Sequence, residues 1–410
     1  MRAGPRPISW DVLLAACLIV KDGAGTLARC LDSVAGFVDE IVVYDTGSAD
    51  GTQQLAREYG ARVVEGYWDD DFARARNAAL DAVTADWVLS IDADECLSGD
   101  PAVLRAMLAG PAASMVAVER HDVLPGARGS YLFRTVRLFR RAGAVWTGRV
   151  HESVEVTEPS GLPGALMHCP PDVLRLAHDG YADPADALAK ARRNAEIGLA
   201  EVNELRADPA TTPDRLARAL VDLGRSLVAA DEPATAVHAF DAVRMLVSGG
   251  TLWARATDHL TRAALQAGRF DAACELSGEL RAHGADPQYC DWLLAQALAQ
   301  SGSAAQAARL LANITALVDP AGHVLDLGPV VEFRALAHAL AGDQDRAALT
   351  MLAAMTQYGR VDDRMQLVRS WWTGTVAELV AEAHRTGGPH TAEVIAALQA
   401  GPQDSSQPAA

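Results

Sequence analysis

Three carboxylates close the segment Trp87-Val-Leu-Ser-Ile-Asp92-Ala-Asp94-Glu95. The apolar run before them reads as a buried strand, and α/β proteins gather ligands at the carboxyl ends of such strands. Asp92 and Asp94, two apart, share a face if the strand continues through them. Hard oxygen ligands there suit Mg²⁺ or Mn²⁺ held against a phosphorylated substrate. A solvated turn would carry the same letters, so the surroundings must decide. One neighbour is Asp45-Thr-Gly-Ser-Ala-Asp-Gly-Thr52, which puts another acid just after a strand. Asp45 can accept hydrogen bonds from a base or a ribose, Gly47 and Gly51 permit a tight turn, and Asp50 is expected to cap the next helix. A second neighbour, Trp68-Asp-Asp-Asp-Phe72-Ala-Arg74-Ala-Arg76-Asn77, opens a helix with one aspartate as its N-cap. Arg76, one turn after Phe72, either forks onto a diphosphate or pairs with a nearby aspartate.

Positioning these groups requires strands that end together. Apolar strands are expected at residues 13–20, 41–44, 62–65 and 87–91, with helices at 26–34, 52–59 and 72–82 between them. That alternation predicts a doubly wound, mostly parallel sheet with right-handed crossovers. Residues 115–123 and 135–139 read as strands of a more irregular, antiparallel section. From Pro184 onward strand signals vanish. Helical segments recur there with turns at Asp231-Glu-Pro, Gly268-Arg-Phe, Gly302-Ser-Ala and Gly342-Asp-Gln. The spacing drifts around the ~34 residues of a tetratricopeptide unit. An ordinary helical bundle is the alternative. The expected organisation is a catalytic α/β domain over residues 1–183, an all-α tetratricopeptide-like domain over 184–400, and a disordered tail over 401–410.

Composition narrows the partners. The 410-residue chain carries a formal net charge of −17, which argues against nucleic acid or an anionic membrane as the main partner. The apolar run at 12–20 is too short to span a bilayer, and its flanks do not read as a secretory signal. The six scattered cysteines lack a CxxC spacing and suit a reducing cytoplasm.

Five spaced blocks then carry a family resemblance: Cys17-Leu-Ile-Val-Lys-Asp22, Cys30-Leu-Asp-Ser33, Asp45-Thr-Gly-Ser-Ala-Asp-Gly-Thr52, Asp71-Phe-Ala-Arg-Ala-Arg-Asn77 and Ser90-Ile-Asp-Ala-Asp-Glu95. In this order they resemble family-2 glycosyltransferases of the GT-A fold. The resemblance implies a nucleoside diphosphate sugar as donor, a uridine diphosphate sugar being expected, with Mn²⁺ or Mg²⁺ and inversion at the anomeric carbon. It implies donor contacts at Val20, Asp45, Arg76 and Asp92, the last shared between ribose and metal, and metal ligation by Asp94. Gly23 and Ala24 depart from relatives that often carry a glutamate after the aspartate. Some GT-A enzymes add a late histidine to the metal, which makes His178, in Leu176-Ala-His178-Asp-Gly180-Tyr181, a ligand or a structural histidine; His168 has weaker support. An inverting enzyme needs a carboxylate to take the acceptor's proton. Glu152, in Val145-Trp-Thr-Gly148-Arg149-Val-His151-Glu152, is the candidate base, its rivals being an ion pair with Arg149 or another arginine, or contact with the sugar. Trp146 stacks on a sugar or fills a core. The arginines at 120, 128, 134, 137, 140, 141 and 149 face the diphosphate or line a solvated strand edge, the edge being the commoner case.

The expected protein is therefore a cytoplasmic, metal-dependent glycosyltransferase without a transmembrane segment. Its repeat domain would hold a peptide, protein or glycan acceptor or mediate homodimerisation. The alternative is a non-catalytic interaction protein with a relic nucleotide-sugar fold. A nucleotidyltransferase is disfavoured because Lys21-Asp-Gly-Ala-Gly25 is too short for a phosphate loop.

Overall fold

The computed structural model describes residues 13–110, 113–123, 130–157, 164–178 and 184–400. Arg128, Gly180, Tyr181 and the tail at 401–410 lie outside the described residues.

The first part alternates as the periodicity requires: β1 Leu14–Val20, α1 Ala24–Val34, β2 Glu40–Asp45, α2 Thr52–Glu58, β3 Arg62–Glu65, α3 Phe72–Asp81 and β4 Trp87–Ser90. There follow β5 Glu95–Gly99, α4 Pro101–Leu108, β6 Met115–Val123, β7 Ser130–Arg140, β8 Ala144–Thr147, β9 Ser153–Val156, β10 Leu166–His168 and β11 Leu174–His178. Nine strands form one sheet in the order β3-β2-β1-β4-β7-β6-β11-β5, with β10 also paired to β6, while β8 and β9 form a separate hairpin. β3, β2, β1 and β4 run parallel; β7 is antiparallel to both β4 and β6. This is the expected α/β architecture with a mostly parallel sheet up to β4, and a mixed sheet beyond it.

β1 is central, so both of its faces are covered and its sequence is unbroken apolar. Leu14, Ala16, Leu18 and Val20 pack with Leu27, Cys30, Leu31 and Val34 of α1, a stripe at helical spacing. Ala15 and Cys17 point the other way, to Ala75, Ala79 and Leu80 of α3 and to Trp146. The parallel register brings Val20 level with Asp45, and Cys17 level with Ser90. The acids that follow β2 and β4 therefore emerge at one end of the sheet.

Helix α5, Pro184–Ala207, and helix α6, Pro213–Ala229, come next. By internal contacts the chain divides into two compact units. One runs to Thr211 and takes in Asp222–Glu232; the other joins Thr212–Val221 to the chain from Pro233 onward. In the second unit helices span Pro233–Leu246, Gly250–Gln266, Phe270–Ala282, Pro287–Gln300, Ala304–Leu311, Gly328–Leu340 and Gln344–Tyr358, with three more up to Gln399. Up to Gln344–Tyr358 each packs on its successor, and Pro287–Gln300 also meets Gly250–Gln266 and Gly328–Leu340, as stacked helical hairpins do. The four turns foreseen in the sequence share one device, a left-handed residue at Asp231, Gly268, Gly302 or Gly342. The small residues between them are packing surface: Ala264, Ala295 and Ala297 are buried. No described helix is long and apolar enough to cross a membrane.

Candidate functional site

The loops after β1 and β2 interlock at the C-terminal end of the sheet. The Asp22 amide donates to Ser48 Oγ, and the Ala49 amide donates back to Asp22 Oδ1, each at 2.8 Å. Asp50 serves two helices: it accepts from the first amide of α1, at Ala24, and the first of α2, at Thr52. The Val20 carbonyl accepts from the Thr46 amide at 2.9 Å. Beneath this lattice Asp45 is buried. Its Oδ1 accepts from the Gly47 and Ser48 amides and from Gln53 Nε2 at 2.7 Å, whereas Oδ2 is buried with no hydrogen-bond partner. Burial pushes this carboxyl up, but the hydrogen bonds from Ser48, Gln53 and Gly47 outweigh it and hold it below the usual carboxylate range.

Asp71 caps α3, accepting from the Arg74 amide at 2.8 Å, and so sets the phase that turns Arg76 inward. Each nitrogen of the buried Arg76 guanidinium donates. Nε donates to Glu152 Oε1 at 2.5 Å, Nη1 to Ser90 Oγ at 3.1 Å and Nη2 to Asp92 Oδ1 at 2.8 Å, and the group stands 5.0 Å from the Trp146 ring centre. Carboxylate pairing is one of the two roles the sequence left open for Arg76. Glu152 pairs with Arg76, while Arg149 pairs with Glu204 on α5. Trp146 is buried against Phe139 as a core residue.

The acidic strand end divides its labour. Asp92 lies between two guanidinium groups, its second oxygen 3.2 Å from Arg137 Nη2. Burial opposes its charge, yet Arg137 and Arg76 together keep it ionised far below the ordinary range. Glu95 is wholly buried and anchors the turn, accepting from the Asp92 amide at 2.9 Å and from Arg137 Nη2 at 2.6 Å. Burial raises its carboxyl, Arg137 opposing that shift. Asp94 faces His178, whose Nε2 is 3.3 Å from Asp94 Oδ2. The hydrogen bond from His178 overcomes burial and lowers the Asp94 carboxyl. β5 and β11 create this encounter, because their antiparallel register places Glu95 opposite His178. His168 is exposed on β10.

The edge-strand reading of the arginines is overturned for two of them. β7 lies between β4 and β6, and β6 is flanked in turn, so neither is an edge. Arg137 and Arg120 turn inward to Glu95 because buried carboxylates need compensating charge. The sequence offered one signal for Arg137, a charged residue between Val136 and Leu138 in an otherwise apolar strand. Ser90 carried no signal of its own beyond opening the Ser90–Glu95 block.

Asn77 stitches α3 to β8: its side chain donates to the Trp146 carbonyl at 3.0 Å and accepts from the Trp146 amide at 2.9 Å. This seats the β8–β9 turn against the site. Gly148 (φ +88°) and His151 (φ +55°) are both left-handed. Glycine bears that conformation freely; the histidine pays roughly 1 kcal/mol for it.

Comparison with known proteins assigns the class. Residues 16–150 match the family described as Glycosyl transferase family 2. That stretch of the first unit is thus similar to family-2 glycosyltransferases. A TPR repeat-containing protein of Synechococcus elongatus is 44% identical over 126 residues, 30% of this chain and 31% of that one. The SPbeta prophage-derived glycosyltransferase SunS of Bacillus subtilis is 29% identical over 199 residues, 47% of this chain and 45% of that one. The chain thus spans less than half the length of either curated relative. A crystal structure of glucosyl-3-phosphoglycerate synthase from Mycobacterium tuberculosis, solved with Mn²⁺, uridine diphosphate and phosphoglyceric acid, is 24% identical over 29% of this chain and 49% of that one. Its TM-score of 0.24 is too low to bear on chemistry.

Proposed function

We propose that the protein is a metal-dependent, inverting glycosyltransferase that takes a sugar from a nucleoside diphosphate donor, uridine diphosphate by preference. The observation that carries this reading is Asp45 Oδ2, a buried carboxylate oxygen without a partner at the ligand-binding end of a parallel sheet. Such an oxygen costs stability unless a ligand's N–H or O–H reaches it. Asp45 is the proposed acceptor for the donor's base, and Val20, level with it on β1, lines the same end. Asp92, fixed by Arg76 and Arg137, is better suited to accept from a ribose hydroxyl than to neutralise a cation, since both its oxygens already meet positive charge.

The residues present fit a divalent ion. Two ligands of one ion, each about 2.1 Å from it, lie about 3 Å apart, and Asp94 and His178 approach to 3.3 Å. Among the described residues no group of three His, Cys, Asp or Glu side chains could hold a metal unaided, so donor phosphates and water would complete the shell. Bound there, the ion would stabilise the charge on the departing diphosphate. Glu152 is the proposed base for the acceptor, aimed by its ion pair with Arg76. For the helical unit we propose peptide or protein acceptors, because stacked helical hairpins commonly build peptide-binding faces.

A hydrolysis screen of nucleotide sugars with Mn²⁺ tests the reading. Slow release of nucleoside diphosphate from one donor is expected, and inertness toward all of them would favour an interaction protein with a relic fold.

A further inference from the structure

The β8–β9 turn is held from behind by helices that the sequence assigns to the repeat array. Glu201 of α5 accepts from the Arg149 amide at 3.3 Å, and Glu204, three residues later and so on the same face of α5, takes both ends of the Arg149 guanidinium, at 3.2 and 2.6 Å. The Arg149 carbonyl in turn accepts from the Phe72 amide at 3.0 Å, at the head of α3. Arg193 of α5 lies over the Phe72 ring at 5.4 Å. From α6, the buried Ser226 meets His151: Oγ and Nε2 are 3.0 Å apart. Ser226 has one hydroxyl hydrogen and donates it to the Asp222 carbonyl at 3.1 Å. Every residue in this set belongs to the first compact unit, since that unit extends to Thr211 and includes Asp222–Glu232. The left-handed His151 immediately precedes Glu152, so whatever holds His151 also aims Glu152.

We propose that α5 and the Ser226 end of α6 are positioning elements of the transfer site, with Glu201, Glu204 and Ser226 clamping the Gly148–Glu152 turn so that Glu152 meets the acceptor. The proposal rests on the glycosyltransferase reading for its consequence, though not for the clamp itself. It makes the first helices part of the catalytic unit rather than an appendage that only recruits acceptors.

The test uses the full chain with Ser226→Ala, Ser226→Thr and the double variant Glu201→Gln/Glu204→Gln. Two readouts are taken: hydrogen exchange of the amides at 148–152, and kcat alongside uridine diphosphate affinity in Mn²⁺. We expect faster exchange in that turn for Ser226→Ala and for the double variant. We also expect kcat to fall by about ten- to a hundredfold, as sub-ångström misplacement of a reacting group does, with nucleotide affinity kept within about twofold. Ser226→Thr, which keeps the hydroxyl, should restore both readouts. Native exchange in the turn for Ser226→Ala overturns the proposal, and so does a parallel loss of nucleotide affinity, melting temperature and kcat, which marks general damage. If the native protein binds no nucleotide, the donor reading fails, and the exchange experiment still decides the clamp.

Discussion

Around Asp92 the side chains form a compensated lattice: Arg76 and Arg137 against Asp92, Glu95 and Glu152. Removing one cation strands buried carboxylates, which costs about 3–5 kcal/mol. Arg137→Met should therefore lower unfolding free energy by about that amount, and Arg137→Lys by less, in urea titrations followed by tryptophan fluorescence. The residues proposed for the metal and the base are expected to separate by what they impair. Asp94→Asn should weaken metal-dependent nucleotide binding by about 10- to 100-fold, as loss of a ligand or its support does, measured by calorimetry. Glu152→Gln should leave that binding intact and slow turnover by about 10²–10⁴-fold, the usual worth of a general base. Full turnover by the glutamine variant would remove Glu152 from that role. Asp92 and Glu95 were legible from the sequence because they follow an apolar run. Their partners were not, because Ser90 and Arg137 reach the site by strand register, which no local pattern encodes.

The loops and caps at the sheet's end decide where those side chains stand. Asp71 fixes the start of α3 and so the rotational phase of Arg76; Asp71→Ala should cost about 1 kcal/mol, read as a lower urea midpoint. The first four strands and three helices were legible because buried parallel strands and amphipathic helices carry different periods. β7 was read from residue 135 and runs from Ser130. The reach of the helical segment into the first unit was hidden, since α5 has the same alanine-rich, amphipathic look as the helices beyond it. What ties it to the α/β core are Glu201 and Glu204, ordinary acids on an exposed-looking helix until their partner Arg149 is located.

For the whole molecule, acidity and burial combine in the pH response. Asp45 titrates below the usual range, so its contribution is fully present above its unfolded value near 3.8 and is lost as pH falls toward the folded value. Glu95 and Glu201 are raised by burial and act oppositely, gaining as pH falls. Asp45→Asn should accordingly flatten the fall of melting temperature as pH drops below about 3.8, and an unchanged slope would show that the buried oxygen is not held as a carboxylate. The central claim is that the first unit is built around a metal-bound nucleotide donor. Calorimetric titration of uridine diphosphate into native protein, with and without Mn²⁺, tests it most directly. Binding that requires Mn²⁺ and disappears in Asp94→Asn is the predicted result; absent binding, or binding indifferent to both the ion and Asp94, would contradict it.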